Sequence, residues 1–446
     1  MPTAPSRKLA VAALLPGLLL GLLGVTAPVL AGCSVFDDDG GDLDQDGAPS
    51  ASAAPAPPAD VVSGLRAALD LRSDAMRHHD RRGFLAGLAP GDPALRQAQK
   101  TYFDNLAQLP LGTFDYELDP TAVVRDGEDY EAVVALRTEL TGFDERPVLS
   151  RDRMRFTPGG SSGQYVVAAA TDPEWEAEHD VRPQPWDLGP VVVRTVPGVL
   201  GVFDEQSVGA ADRLLADVRQ GITDVSGLVP FDWTRSVVVY ALSDASYLAS
   251  IPDLPGGDPA TLDGVAFPVP AEPDKPALAS TRFVLHPRLL PRDGAGRGRL
   301  IRHELTHVAL GRRDDHAPVW LSEGLAEYVS VRSLAPERRG ISQSAVDAAR
   351  VGFADLPGDG DFNDDDSRVH YGEVWWACEY LAASFGEPTL WSLLEQLDDP
   401  DLDEAGRNDV LKAWTGLGTR QLAHRAARLL LVTFDPLGGT AAPTAG

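Results

Sequence analysis

The sequence predicts an α+β fold in two successive parts, the first running from helices into strands and the second from strands into helices. Three observations carry that expectation. Apolar residues recur at helical spacing after residue 60, and they alternate with a two-residue period between Tyr130 and Leu140. Beyond Arg297 the helical period returns and persists through most of the remaining chain. At 446 residues, 43% of them hydrophobic, the chain is long enough for two or three domains.

In the first part, Val61, Leu65, Ala68, Leu69 and Met76 mark one helix, with His78 and His79 expected at its solvated end. Pro90-Gly91-Asp92 punctuates before a second helix through Tyr102 and Leu106. Tyr130, Ala132, Val134 and Leu136 then face one way, Glu131, Arg137 and Glu139 the other. Met154 and Phe156 between arginines, and Tyr165 to Ala170, supply further strands. Helices followed by a curved antiparallel sheet resemble the NTF2-like cone in pattern, so residues 60–182 are expected to form an NTF2-like α+β domain.

The second part, residues 185–446, opens with strands at Val191–Arg194 and Val199–Phe203 and a helix from Ser207 to about Val225. Strands at Ser236–Leu242 and Arg282–His286 follow. Helices are expected around the His303–His307 segment and near Leu321–Val331, Ser342–Val351, Tyr371–Phe385, Thr389–Leu397 and Arg420–Leu431.

The formal charge of −27 gives a surface that repels nucleic acid and anionic headgroups, which argues against a phosphate-binding role. Arg7 and Lys8 begin an export-like leader, whose apolar stretch from Leu9 ends in Leu30-Ala31-Gly32-Cys33. That ending resembles the lipobox of bacterial lipoproteins, which implies cleavage before Cys33 and a lipid on its thiol. Residues 1–33 are therefore expected to be a signal peptide and lipobox, anchoring the exported chain to the outer face of the cytoplasmic membrane. Residues 34–59, rich in Asp, Gly, Ala and Pro, read as a disordered tether. Its Asp42–Gly47 run mimics a calcium loop, but the twelfth loop position is Ala53 rather than Glu, so spacer is the better reading. Cys378, the other cysteine, is expected to be a buried thiol.

The chemistry centres on His303-Glu304-Leu305-Thr306-His307. Two histidines four apart on a helix lie about 40° apart around its axis, so both imidazoles can reach one metal ion. A catalytic zinc needs three protein ligands and an open position. Glu304 lies beside the histidine face, placed as general base to take a proton from zinc-activated water. Leu300, Ile301, Leu305, Val308 and Leu310 would keep the helix buried and dry. Charged groups in such a helix are costly without a task.

The following Trp320-Leu321-Ser322-Glu323-Gly324 resembles the Trp-Leu-x-Glu-Gly signature of gluzincins, the aminopeptidase-N and thermolysin clan with its peptidase MA-like relatives. The match runs from Ser280 to Tyr328. It implies a zinc metallopeptidase domain over 185–446 with Glu323 as third ligand. Fifteen residues separate His307 from Glu323, a shorter interval than that family uses, whereas Glu327 fits the interval better and the local motif worse. Glu323 is favoured, with Glu327 orienting a ligand histidine from behind. Asp314, Asp315 and His316 read as an exposed loop.

Relatives also supply a later tyrosine or histidine to the developing oxyanion, a role that Tyr371 fits, with His370 second. The Asp359–Asp364 loop has calcium-like spacing but Asp where Gly is wanted, which argues against calcium. The Arg282–His286 strand is expected to offer its edge to an extended substrate. The expected substrate is a peptide or protein, and no Gly-x-Met-Glu-Asn-like element precedes the motif helix to anchor an α-amine, which favours endopeptidase or processing activity. The alternative is a zinc-binding, catalytically idle surface module.

Overall fold

The architecture comes from a computed structural model that describes residues 57–435, except 162, 252–258, 261, 274, 293 and 336–337. The leader, Cys33, the tether and the Asp42–Gly47 run lie outside the described residues. Among the described residues, no helix is long and apolar enough to cross a membrane.

The chain opens with α1 (Ala59–Arg77), α2 (Arg81–Ala86) and α3 (Pro93–Leu106). Val61, Leu65, Leu69 and Met76 form the buried face of α1, as their spacing demands, and His78 ends it in solvent. Asp92 caps α3 by accepting the Ala94 and Leu95 N–H groups, with Pro93 where no N–H is needed. A four-stranded antiparallel sheet follows in sequential order: β1 (Leu111–Asp126), β2 (Asp129–Leu140), β3 (Val148–Pro158) and β4 (Tyr165–Ala169). The sequence did not reveal β1, because Asp119-Pro120-Thr121 interrupts its alternation. A register shift between Leu118 and Val123 absorbs the interruption.

Short helices α4 (Pro173–Glu178) and α5 (Pro185–Leu188) lead into a five-stranded mixed sheet. It comprises β5 (Val192–Val196), β6 (Val199–Phe203), β7 (Val237–Ala241), β8 (Gly264–Pro270) and β9 (Leu278–Leu285), with α6 (Ala211–Ser226) and α7 (Ser246–Ser250) between strands. The spatial order is β5-β6-β7-β9-β8, with β6, β7 and β9 parallel and the outer strands antiparallel. β8 was hidden by Pro268 and Pro270, which an edge strand tolerates because one side needs no ladder donors. This order corrects the expectation for Arg282–His286. Phe283 and Val284 pair with β7 on one side and β8 on the other, so the free edge belongs to β8.

The mixed sheet is a middle layer. Leu200, Val202, Val238, Tyr240, Phe267 and Val284 share a core with Leu65, Phe84, Phe114 and Val134 of the first part. Val199, Phe203, Val239, Phe283 and Leu285 face the helices on the other side. A buried ion pair, Arg282 to Asp144 at 2.9 Å, ties β9 to the β2–β3 loop, and Arg282 also donates to the Tyr240 hydroxyl and Gln184. The fold is α+β, with one antiparallel and one mixed sheet.

The helical half contains α8 (Gly294–Leu310), α9 (Val319–Arg332), α10 (Gln343–Val351), α11 (Ser367–Phe385), α12 (Pro388–Leu397), α13 (Glu404–Thr415) and α14 (Thr419–Phe434). Of these, only α13 gave no readable apolar signal in the sequence, since just Leu411 and Thr415 of it are buried. Cys378 is buried in α11, and burial pushes its thiol pKa up, as fits a core residue.

Candidate metal centre

The candidate centre forms where α8 packs against α9, beneath the edge strand β8. Ile301 and Leu305 hold α8 against α6, and the close approach requires Gly221: a Cβ there would lie 2.8 Å from Leu305 Cδ1 and 3.0 Å from Ile301 Cγ2. The opposite side of α8 presents His303 and His307 to Glu323 on α9. Pro318 starts α9, and the first free N–H, from Val319, is accepted by Asp359 at 2.9 Å. Asp359 also receives Arg407 at 3.0 Å, so the carboxylate that opens the calcium-like loop is spent on a helix cap and an ion pair.

His303, His307 and Glu323 are the one group among the described residues able to hold a metal ion. His303 Nε2 lies 3.4 Å from His307 Nε2 and 3.2 Å from Glu323 Oε2, and His307 Nε2 lies 3.7 Å from that oxygen. Bonds of about 2.0–2.1 Å at tetrahedral angles leave ligand atoms about 3.3–3.4 Å apart, so this triangle matches one face of a tetrahedral set. Glu323 Oε2 is buried and, despite these approaches, makes no well-directed hydrogen bond. Three lone-pair atoms converging on one point fit a cation better than they fit one another.

The other nitrogens face carboxylates. Glu327 Oε1 stands 3.3 Å from His303 Nδ1, while its second oxygen receives Arg299 Nε at 3.2 Å. Glu323 thus meets the converging nitrogens and Glu327 lies behind His303, the arrangement favoured from the local motif. His307 Nδ1 lies 3.3 Å from Asp314 Oδ2, which also accepts the Ser322 hydroxyl at 2.5 Å. The exposed-loop reading of Asp314 is therefore corrected: its side chain is only 12% exposed. Gly311, at φ +62°, ends α8 in a left-handed residue and turns the chain back toward the helix it has just left. Asp315 and His316 are exposed, as read.

Protonation follows from this crowding. Burial alone would lower the His303 pKa, but contacts with Glu323 and Glu327 overcome it and raise it to about 10. Burial likewise opposes, and the charges of Glu323 and Asp314 outweigh it, in raising that of His307. Burial pushes both carboxyls up, but the two imidazoles carry Glu323 far below its usual range, and His303 with the Arg299 guanidinium lowers Glu327 to about 2.

Glu304 is buried beside this group and accepts the Ala266 N–H of β8 at 2.6 Å. Burial raises its pKa and the two histidines oppose the rise. Tyr371 on α11 closes the other side, its ring 6.0 Å from His303 and 4.9 Å from Phe362. Burial pushes its hydroxyl well up, and Glu323, Glu304 and Glu327 add to the effect. His370, next in sequence, instead directs Nδ1 to the Phe362 carbonyl at 3.0 Å.

Sequence reasoning missed Asp314 and Ser322 as partners of the centre and the Ala266 N–H as a partner of Glu304. The first two follow from a turn whose return path has no periodic signature; the third is a backbone group, invisible to any residue pattern. Comparison of the chain with protein-family models and with curated proteins finds no match.

Proposed function

We propose that this chain is a zinc-dependent peptidase of the gluzincin type, exported and lipid-anchored through Cys33, that hydrolyses peptide bonds outside the cytoplasmic membrane. One observation carries the reading: the Nε2 atoms of His303 and His307 and Oε2 of Glu323 converge at tetrahedral spacing, with each Nδ1 against a carboxylate. His303, His307 and Glu323 would hold the ion. When bound, zinc supplies a Lewis acid that acidifies water and polarises a carbonyl.

The remaining chemistry belongs to the chain's own groups. Glu304, steadied by the Ala266 N–H, takes a proton from the attacking water and returns it to the leaving amine nitrogen. Its raised pKa suits a group that must both accept and release that proton. Tyr371 keeps its proton at neutral pH, so its hydroxyl can donate to the oxygen on which charge develops. The buried apolar flank of α8 excludes bulk water from these transfers. The helices α1–α3 beside a four-stranded antiparallel sheet support an NTF2-like assignment for residues 60–182.

The test is cleavage of a broad peptide library by the purified full chain, read by mass spectrometry with and without a zinc chelator. The proposal expects internal cleavages that the chelator and Glu304→Gln both abolish. Stoichiometric zinc with no cleavage of any library member would instead identify an idle zinc-binding surface module.

A further inference from the structure

The two histidines are not held alike. Glu327 contacts His303 Nδ1 without a well-directed hydrogen bond and is itself engaged by Arg299. Asp314 makes a hydrogen bond to His307 Nδ1, and among the described residues it pairs with no lysine or arginine. A largely buried carboxylate without a cation is costly unless a donor nearby needs it. Its two donors here are His307 and Ser322, both converging on Oδ2.

We propose that Asp314, seated by Ser322, is a positioning residue that fixes the ring and tautomer of His307 so that Nε2 presents its lone pair to the metal. This rests on the zinc-site reading above. An imidazole at the last turn of a helix can flip about its Cβ–Cγ bond or carry its single proton on either nitrogen. Accepting the Nδ1 proton removes both freedoms. The geometry also accounts for the short interval between the ligands. Because Gly311 turns the chain back at once, Asp314 falls against the helix it has just left. Ser322 directly precedes Glu323, so the element that delivers the carboxylate ligand also anchors the group orienting His307.

The experiment measures zinc affinity of the full chain by competition with a chromogenic chelator, and the visible spectrum of the Co2+-loaded chain. Wild type is compared with Asp314→Ala, Asp314→Asn, Ser322→Ala and Asp315→Ala. Loss of such a partner typically weakens binding about 10–100-fold, and Asp314→Ala is expected in that range with a shifted Co2+ band. Asp314→Asn, whose amide oxygen still accepts, recovers part of the affinity, and Ser322→Ala loses less than Asp314→Ala. Asp315→Ala, an exposed neighbour paired with Arg312, stays at wild type. Zinc bound to Asp314→Ala within about twofold of wild type overturns the positioning role and leaves the metal site standing. An equal loss in Asp315→Ala also overturns it, because the effect then belongs to the turn as a whole. A wild-type chain that binds no zinc overturns the site and this inference together.

Discussion

Replacing Gly324 by alanine tests whether the Glu-Gly pair of α9 is set by backbone packing. In an unobstructed helix interior, Gly→Ala stabilises by about 1 kcal/mol. At Gly324 the new Cβ would lie 2.8 Å from Cys378 Sγ, 2.8 Å from the Val374 carbonyl oxygen and 3.2 Å from its carbon, all on α11. Carbon atoms at optimal separation stand about 3.5–4.0 Å apart, so α11 must retreat by several tenths of an ångström. A backbone carbonyl cannot rotate away as a side chain can. The overpacking cost therefore sits toward the top of the usual range of about 1–3 kcal/mol, leaving a net loss of about 2 kcal/mol after the propensity gain. Gly298→Ala in α8 provides the control, since its Cβ meets only the Arg302 guanidinium at 3.5 Å and should keep most of its gain. Urea denaturation of both variants in excess chelator removes any contribution from bound metal. A Gly324→Ala chain as stable as wild type, or more so, refutes the packing argument.

Three other outcomes follow from buried groups. Tyr371→Phe should lower kcat about 10²–10³-fold with KM and zinc content little changed, as loss of an oxyanion donor does; steady-state kinetics on a cleaved peptide checks it. Asp144→Ala leaves Arg282 buried without its carboxylate and should cost about 3–5 kcal/mol in a denaturant titration. Glu373, buried on α11 with Oε1 unpartnered, has its pKa raised to about 8 by burial and then by Asp355. A raised folded-state value means that folding holds the proton, so this contribution is complete below about pH 4.5 and fades as pH climbs through 8. Glu373→Gln should therefore match wild type near pH 4 and melt higher above pH 8, and a constant Tm difference across that range would contradict it.

The parts of this architecture legible in the sequence are those where apolar residues repeat at a fixed period or fill a long run. α1 and β2 each bury one apolar face, and α8, α9 and α11 are apolar and buried around most of their circumference, so composition and spacing suffice. β8 was invisible for the opposite reason: an edge strand needs ladder donors on only one side, and its prolines sit where none is needed. β1 was hidden by a bulge, and α13 by a surface that is almost wholly solvated. The same division runs through the candidate centre. His303, Glu304, His307 and Glu323 stand out because helical spacing converts sequence distance into direction. Asp314 does not, because a glycine turn rather than a period brings it home. Which of Glu323 and Glu327 lies nearer the Nε2 atoms depends on how α9 lies against α8, which no spacing rule contains.

The central claim is tested most directly by the metal content of the purified chain, measured by elemental analysis for wild type, His303→Ala and Glu304→Gln. The account predicts one zinc per chain in wild type and in Glu304→Gln, loss of zinc in His303→Ala, and peptide cleavage by wild type alone. A wild-type chain without zinc would contradict it, as would a Glu304→Gln chain that cleaves peptides at the wild-type rate.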